Sequence, residues 1–458
     1  MLALLAACAQ TEEGVAPPLA SLQFPTGVAL TPEGAAIPQR LLVVSSNFDL
    51  RFRSGVLHAF DREALDRLVD EAPPSPGCPP SNPRCLPAAI PELDGALVGA
   101  VEIGDYGGAV GVATLGEGRL RVFVPVRGSR AVIAAELDGA GIRCARGDAP
   151  CDGVRFPRED PYSVVVSLGN VYVGHFTVLT HTDPKGGVIG AAAADAPFWT
   201  QGGGSFQSIR VGNTAIGGLA AGGCRSDEGG EPVCTLFASG RSRSFDSQPI
   251  FAFDHREGEL ISSPLFRRNI YPQSKGFDSR GISVASSSEE IYLASHSPDA
   301  LAVIDVTRLA QLPTDGCLIP EGGVVAPGAA CPDLPPPAAE EPSFTTATLI
   351  PSPRGPNVVA TLPRTSPAGE ASDLVVLTTS DGLAFFDMRA GSFAGELSGL
   401  GGGPSDIAFR ALEGGGFRLY VPSFSSGTLA VVDLPDPFRP ESARVVARLG
   451  REQESDSL

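Results

Sequence analysis

The sequence has few basic residues and no long hydrophobic run. Lys185 and Lys275 are the only lysines, charged residues make up 19% of the chain, and the formal net charge is −18. A nucleic-acid partner is therefore not expected, because binding phosphates requires a basic surface. After Cys8, no apolar stretch approaches the roughly 18 residues that a spanning helix needs. Any attachment to a membrane is therefore expected to use a covalent lipid and not a spanning helix.

The composition is also unfavourable for long helices. The chain has 55 glycines and 42 prolines, which indicates many turns and argues against long helices. Hydrophobic residues nevertheless reach 43%, so a large core is expected and disorder is not. A chain of 458 residues with this composition is typical of a β-rich repeat architecture.

The nine cysteines divide into one and eight. The run Leu5-Ala6-Ala7-Cys8 reads as a bacterial lipobox, in which a signal peptidase cuts before Cys8 and the thiol carries a diacylglycerol. The alternative is a chance tetrapeptide in a cytosolic protein. The other eight fall into near-neighbour couples, which favours an exported protein with four disulfides. These couples are Cys78 with Cys85, Cys144 with Cys151, Cys224 with Cys234, and Cys317 with Cys331.

One phrase recurs seven times along the chain: a small-residue strand, a turn, a β-rich strand, a polar hairpin and another β-rich strand that often ends in Asp. The third-strand copies are residues 55–61, 131–138, 187–195, 249–254, 300–305, 382–387 and 427–433. Second strands are predicted at 40–45, 120–124, 171–174, 235–238, 291–294, 374–377 and 417–421, and first strands at 25–30, 109–113, 162–166, 214–219, 281–285, 357–360 and 404–409. Fourth strands are less regular, with candidates at 96–103, 206–211, 260–266, 345–350 and 445–449.

Four short strands repeated seven times predict an all-β fold, a seven-bladed β-propeller of four-stranded antiparallel blades. The sequence at 300–305 and 419–433 resembles the repeat of the YVTN (NHL-like) type of bacterial propeller. That resemblance implies the fold and says little about function. Trp199 is the only tryptophan, which excludes tryptophan-rich blades, and no repeat ends in Trp-Asp. We expect residues 1–8 to be a signal remnant, 9–23 a polar tether, 24–450 the propeller and 451–458 a frayed tail.

The loops of such a propeller emerge on two faces. Loops that follow third strands emerge on the same face as loops between first and second strands. Three cysteine couples follow third strands and one lies between a first and a second strand. All four are therefore predicted on one face, where each would close a long loop locally. The hairpins between second and third strands form the opposite face and carry the richer chemistry. This face is the candidate site for binding an anionic ligand or an acidic partner; the alternative is ordinary solvated turns. Its residues are Asn47, Asp49, Arg51, Arg53, Arg127, Arg130, His181, Asp183, Arg241 and Arg243.

Metal and catalytic signals are weaker. His175, His181 and Asp183 have ligand chemistry, but one hairpin does not define a coordination site, so no metal is assigned. Lactonase-like propellers place carboxylates around the channel from first strands, and here those strands offer little beyond Asp406. No strand, Gly-rich loop and helix follow one another, so a phosphate loop is not expected.

The leading prediction is a non-enzymatic, lipid-anchored platform that binds a protein partner or an anionic ligand and needs no cofactor. The alternatives are a lactonase-type hydrolase with a divalent metal such as calcium, and a structural subunit of an envelope assembly. Ala9 is not the Asp that often retains lipoproteins in the inner membrane, so the outer membrane is favoured. A monomer is expected.

Overall fold

The structure, a computed structural model, contains seven antiparallel blades. It describes residues 14–72, 86–155, 160–176, 188–203, 206–210, 215–227, 229–242, 249–257, 266–269, 277–307 and 347–452. Within a blade the strands follow chain order from A to D, and strands A of most neighbouring blades contact one another. Strand A therefore lies at the axis, and the predicted seven-bladed β-propeller is confirmed.

The first two blades carry the additions to the basic pattern. Blade 1 comprises β1 (Pro25–Leu30), β2 (Arg40–Ser45), β3 (Gly55–Asp61), helix α1 (Arg62–Asp70), β4 (Ala89–Ile90) and β5 (Leu97–Gly104). Blade 2 comprises β6 (Gly111–Thr114), β7 (Leu120–Val126), β8 (Ala131–Leu137), β9 (Ile142–Cys144) and β10 (Gly153–Arg155). Both β9 and β10 pair with β8, so strand D of blade 2 is split in two.

The middle blades are regular except where two of them join. Strand β16 of blade 4 pairs with β17 and also, over two residues, with β19 of blade 5. Blade 3 comprises β11 (Pro161–Ser167), β12 (Asn170–His175), β13 (Val188–Ala193), helix α2 (Phe198–Gln201) and β14 (Gln207–Arg210). Blade 4 comprises β15 (Ala215–Ser226), β16 (Pro232–Ser242), β17 (Pro249–Arg256) and β18 (Phe266–Asn269). Blade 5 comprises β19 (Phe277–Val284), β20 (Glu290–His296), β21 (Asp299–Asp305) and β22 (Ala347–Pro351).

The last two blades follow the same order. Blade 6 comprises β23 (Val359–Thr365), β24 (Ala371–Thr378), β25 (Gly382–Asp387) and β26 (Ser392–Ser398). Blade 7 comprises β27 (Ala408–Ala411), β28 (Phe417–Ser423), β29 (Thr428–Leu434), a 3₁₀ turn (Pro440–Ser442) and β30 (Arg444–Leu449). All the predicted first, second and third strands correspond to strands here, whereas strands D of blades 2 and 6 were not predicted.

Strand B of a blade is buried on both sides. Every residue of β2, β7 and β28 is buried, including an arginine in each strand. That arginine lies directly opposite an acidic residue on strand C, and the pairs are Arg40 with Asp61, Arg121 with Glu136, and Arg418 with Asp433. The pairing matters because an isolated buried charge is strongly unfavourable.

Third-strand aspartates also stabilise the segments that follow them. Asp138 accepts backbone hydrogen bonds from Ala140 and Gly141. Asp61 does so at a helix instead, because its carboxylate accepts from the backbone N of Ala64 and caps α1.

The ring closes through the insertion between β3 and β5. Strand β4 of this insertion pairs in parallel with β30 of blade 7, and the backbone N of Gly450 donates to the carbonyl oxygen of Ile90 at 2.8 Å. Helix α1 packs Leu65 and Val69 into the apolar cluster that blades 1 and 7 share. The insertion of the first blade is therefore fixed to the outer edge of the last one.

Residues 14–23, part of the predicted tether, lie against the propeller. Val15 forms a bridge with Phe52, and the carbonyl oxygen of Leu19 is 3.1 Å from Nδ1 of His58. Burial of the imidazole lowers the pKa of His58 to about 4. Leu22 is fully buried between blades 1 and 7. Residues 1–13, with Cys8, lie outside the described residues.

Two of the four predicted disulfides are confirmed. Cys144 bonds to Cys151 and Cys224 bonds to Cys234. The second pair links strands A and B of blade 4 directly, because Cys224 lies on β15 and Cys234 on β16, whereas it was predicted in the loop between them. The predicted place of the first pair, in a loop between strands C and D, was wrong, because Cys144 ends β9 opposite Ala135 and the bond closes the excursion between β9 and β10. Cys78, Cys85, Cys317 and Cys331 lie outside the described residues.

Candidate functional site

The candidate site lies on the face formed by the loops between strands B and C and the loops that lead into the next strand A. We call this surface the B–C face. Strands A begin there and strands B end there, so side chains from different blades meet above the axis. Two groups of side chains dominate the described part of this face, one aromatic and one that combines arginines with aromatic rings.

The aromatic group joins blades 7, 1 and 2. Phe48, in the β2–β3 loop, lies 5.0 Å from Phe424 and 5.7 Å from Tyr106, measured between ring centroids. Phe24 lies beneath, 5.3 Å from Phe424, and is 2% exposed, whereas Phe48 is 46% exposed. The tilted and edge-on ring arrangements are those that aromatic pairs prefer. The group thus has a buried base and an accessible top.

The second group lies over blades 2, 3 and 5 and is called the Arg–aromatic group. It consists of Arg127, Tyr162, Phe176 and Arg280. Tyr162 stacks on Phe176 at 4.4 Å, and the guanidinium carbon of Arg127 lies 5.6 Å from the Phe176 ring centroid. Arg280, from strand A of blade 5, lies 5.9 Å from the same centroid. Two cations from different blades therefore converge on one ring.

Several predicted arginines are neutralised by carboxylates. Arg51 pairs with Asp49, and Arg127 pairs with Asp160. Arg53 donates two hydrogen bonds to Glu102, at 2.7 and 2.9 Å. The hydrogen bond from Arg53, together with one from Ser54, holds the pKa of Glu102 below its usual range. These three arginines are thus held in place, and an incoming anion would compete with the carboxylates.

Asn47 has a structural role in its loop. It is 1% exposed, and its amide donates to the carbonyl oxygen of Phe52 at 2.7 Å and to Asp105 at 2.6 Å. Its positive φ of 49° suits asparagine in a tight turn. Asn47 was predicted to contribute to the contact surface, but its side chain is enclosed by the loop.

The other predicted site residues are less completely described. Arg130 lies in the β7–β8 turn with a φ of 53° and is exposed. Arg241 lies on β16, in register with Ala215. His181, Asp183 and Arg243 lie outside the described residues.

Two carboxyl groups on this face are perturbed by burial. Desolvation raises the pKa of Asp406 to about 6, although the backbone N groups of Val28 and Ile407 donate to it at 3.0 and 2.9 Å. Burial also raises the pKa of Asp105, against the effect of the Asn47 hydrogen bond.

The described ranges show no metal-binding cluster and no membrane span. In those ranges, no three His, Cys, Asp or Glu side chains converge as metal ligands would. No helix there is long and apolar enough to cross a bilayer.

Sequence reasoning missed the aromatic residues and Arg280. The available signal was positional, since Phe24 immediately precedes a first strand and Phe424 lies in a hairpin that is otherwise polar. Phe48 lies in a hairpin where apolar residues, Leu50 and Phe52 among them, alternate with polar ones. Arg280 lies on β19, one residue before the first strand that was predicted at 281–285.

Comparison with known proteins yields similarity of fold only. No protein-family model matches the chain, and no curated protein is significantly similar in sequence. Among solved structures, the chain is similar to Saccharomyces cerevisiae Sqt1, with 10% identity, a TM-score of 0.49, and coverage of 93% of this chain and 100% of that one. It is also similar to the Pseudomonas aeruginosa periplasmic gluconolactonase PpgL, with 13% identity, a TM-score of 0.46, and coverage of 95% and 96%. A putative 6-phosphogluconolactonase from Bacteroides fragilis shows 11% identity, a TM-score of 0.47, and coverage of 91% and 98%.

Proposed function

We propose that the protein is an exported lipoprotein, anchored through Cys8, whose B–C face is a non-enzymatic binding platform for an acidic protein partner or a small anionic ligand. The observation that carries the proposal is the Arg–aromatic group, in which Arg127 and Arg280 approach Phe176 from blades 2 and 5. A guanidinium that stacks on an aromatic ring directs its N–H groups outward from the edge of the stack, where a carboxylate or phosphate oxygen can compete with the partners that Arg127 and Arg280 already have, Asp160 and Asn357.

The scaffold supports this use of the face. Arg280 is held on β19, and its Nη1 donates to Oδ1 of Asn357, 3.2 Å away on the entry to blade 6. The two arginines therefore belong to separate rigid blades, which limits the conformational entropy lost when an anion binds. The overall charge of −18 does not attract anions, so recognition depends on this local arrangement.

Neutralising the Arg–aromatic group is expected to reduce anion binding. Citrate and an oligo-glutamate peptide would be titrated calorimetrically into the wild type and into Arg127→Gln, Arg280→Gln variants. Each charge-assisted hydrogen bond is worth roughly 1.5–3 kcal/mol, so each substitution is expected to weaken binding about tenfold or more. Binding of citrate would favour a small ligand, and binding of the peptide alone an acidic protein surface.

The matched control is Arg119→Gln. Arg119 lies on the same blade as Arg127 but in the loop between strands A and B, on the opposite face, and the two side chains are 43% and 41% exposed. This variant has the same change in net charge and is expected to bind like the wild type. The proposal fails if neither probe binds the wild type, or if Arg119→Gln loses as much affinity as Arg127→Gln.

The second candidate function is a lactonase-type hydrolase with a divalent metal, and Asp406 is the observation in its favour. A carboxyl with a pKa of about 6 is suited to general acid–base chemistry near neutral pH. Elemental analysis of the purified protein tests this candidate. The hydrolase function would be supported over the binding platform if the protein contains a stoichiometric divalent ion and if chelation removes both the ion and an esterase or lactonase activity.

A further inference from the structure

The exposed apolar side chains of the described residues are concentrated at one place. Five large ones are more than a third exposed, and four of these lie on the N-terminal segment and the adjoining β2–β3 loop. The four are Val15, Leu19, Phe48 and Leu50, with exposures of 72%, 43%, 46% and 55%. We call them the blade 1 patch. The fifth, Leu349, is 36% exposed and lies on the outer strand of blade 5.

The patch lies close to the predicted lipid attachment site along the chain. Val15 pairs with Phe52, and the backbone N of Arg53 donates to the carbonyl oxygen of Val15 at 3.1 Å. The chain is therefore fixed to the β2–β3 loop from Gly14 onward, only six residues after Cys8. Six extended residues span at most about 20 Å. If residues 9–23 were a free tether, the 15 residues from Cys8 to Gln23 would reach about 50 Å.

A short tether confines the β2–β3 loop to the neighbourhood of the bilayer. Wherever the lipid chains enter the membrane, Val15 and its partner Phe52 would stay near the reach of those six residues, and Phe48 and Leu50 belong to the same loop as Phe52. At that distance the loop would meet the lipid headgroup region.

The chemistry of the loop fits that region. Aromatic and aliphatic side chains beside an arginine are typical of peptides that bind at a membrane interface. Arg51 lies 5.9 Å from the ring centroid of Phe24. The local charges cancel, because Arg51 pairs with Asp49 and Arg53 with Glu102. Contact with lipid would therefore depend on apolar burial and only weakly on lipid charge.

We propose that the blade 1 patch inserts into the headgroup region of the bilayer that holds Cys8. This inference rests on the lipid anchoring proposed above. It gives the propeller a fixed tilt, with blade 1 toward the membrane. The Arg–aromatic group, centred on Phe176 of blade 3, lies two blades away from the patch along the B–C face.

Quenching of tryptophan by brominated lipids tests this orientation. Phe48→Trp and Leu349→Trp variants of the lipidated protein would be placed in phosphatidylethanolamine–phosphatidylglycerol vesicles with brominated acyl chains. We expect the emission of the introduced Trp to be lost for Phe48→Trp and retained for Leu349→Trp. The native Trp199 is 1% exposed, packs against Phe123, and supplies the unquenched baseline.

Flotation of the same samples separates the two ways in which the inference could fail. If both variants float with the vesicles and neither is quenched, Cys8 anchoring stands and membrane contact of the patch is overturned. If both are quenched equally, a fixed tilt is overturned. If the protein has no lipid mass on Cys8 and stays in solution, the anchoring proposal is overturned and this inference with it.

Discussion

Replacing Asp66 by alanine is expected to lower the free energy of unfolding by about 3–5 kcal/mol, the cost of removing one partner from a buried ion pair. Asp66 lies on α1, in the blade 1 insertion, and is 6% exposed. Its carboxylate accepts from Tyr420 at 2.7 Å and from Arg418 at 3.1 Å, and pairs with Arg410 at 2.7 Å, all on blade 7. The variant would leave these groups buried with fewer partners. The measurement is the midpoint of urea denaturation.

The control for Asp66 is on the same helix. Glu63→Ala removes a carboxylate that is 72% exposed and pairs only with Arg62 among the ion pairs of the described residues. An exposed pair and a charge near a helix start together contribute less than about 1 kcal/mol. Equal shifts of the denaturation midpoint for the two variants would show that α1 does not close the ring through Asp66.

The contribution of Asp66 should also depend on pH. Burial alone would raise the pKa of Asp66, but the hydrogen bond from Tyr420 and the charges of Arg410 and Arg418 outweigh it and hold the pKa below the ordinary 3.8. A depressed folded-state pKa stabilises the protein above the unfolded value, and that stability is lost as pH falls through the folded value. The difference between the wild type and Asp66→Ala is therefore expected to be constant near neutral pH and to shrink below pH 3.8.

The sequence predicted the strands that are buried on both sides. The strands B and C have near-continuous apolar runs, and such runs are readable without knowledge of their neighbours. Strand D of blade 6, β26, alternates between exposed and less exposed residues and contains glycine, so its apolar signal is weak. Helix α1 was not predicted, because Asp61 ends a third strand as in the other repeats, and here its carboxylate also caps a helix.

The site was less predictable than the fold. The hairpins of the B–C face were located correctly, but their contacts depend on which blades meet above the axis. Arg280 reaches Phe176 across blade 4, and no local pattern connects two residues so far apart in the chain. The carboxylate partners could not be identified either, since Glu102 follows Arg53 by 49 positions and lies on β5, whereas Arg53 lies in the β2–β3 loop. Pairing of charges thus required the tertiary structure.

Neighbouring strands A approach each other closely at glycines. Gly217 lies on β15 of blade 4, and a Cβ placed there would be 2.0 Å from the carbonyl oxygen of Ser279 on blade 5. The contact is with backbone, so it cannot be relieved by a change of side-chain rotamer. Gly27 shows the same arrangement between blades 1 and 2, where a Cβ would be 2.1 Å from the carbonyl oxygen of Gly108.

Gly217→Ala is therefore expected to destabilise the protein by about 3 kcal/mol, the upper end of the usual cost of overpacking. It should also weaken citrate or peptide binding, because the displaced segment contains Arg280, whose Cα would lie 3.2 Å from the new methyl carbon. Urea denaturation and the calorimetric titration measure the two effects. Gly116→Ala is the matched control, since a Cβ at Gly116 meets nothing within 4 Å. It is expected to be neutral or to stabilise by about 0.4–1 kcal/mol through the unfolded chain. If Gly217→Ala denatures at the wild-type urea concentration and binds the probe normally, strands A are not packed as closely around the axis as the structure indicates, and the position of Arg280 does not depend on that packing.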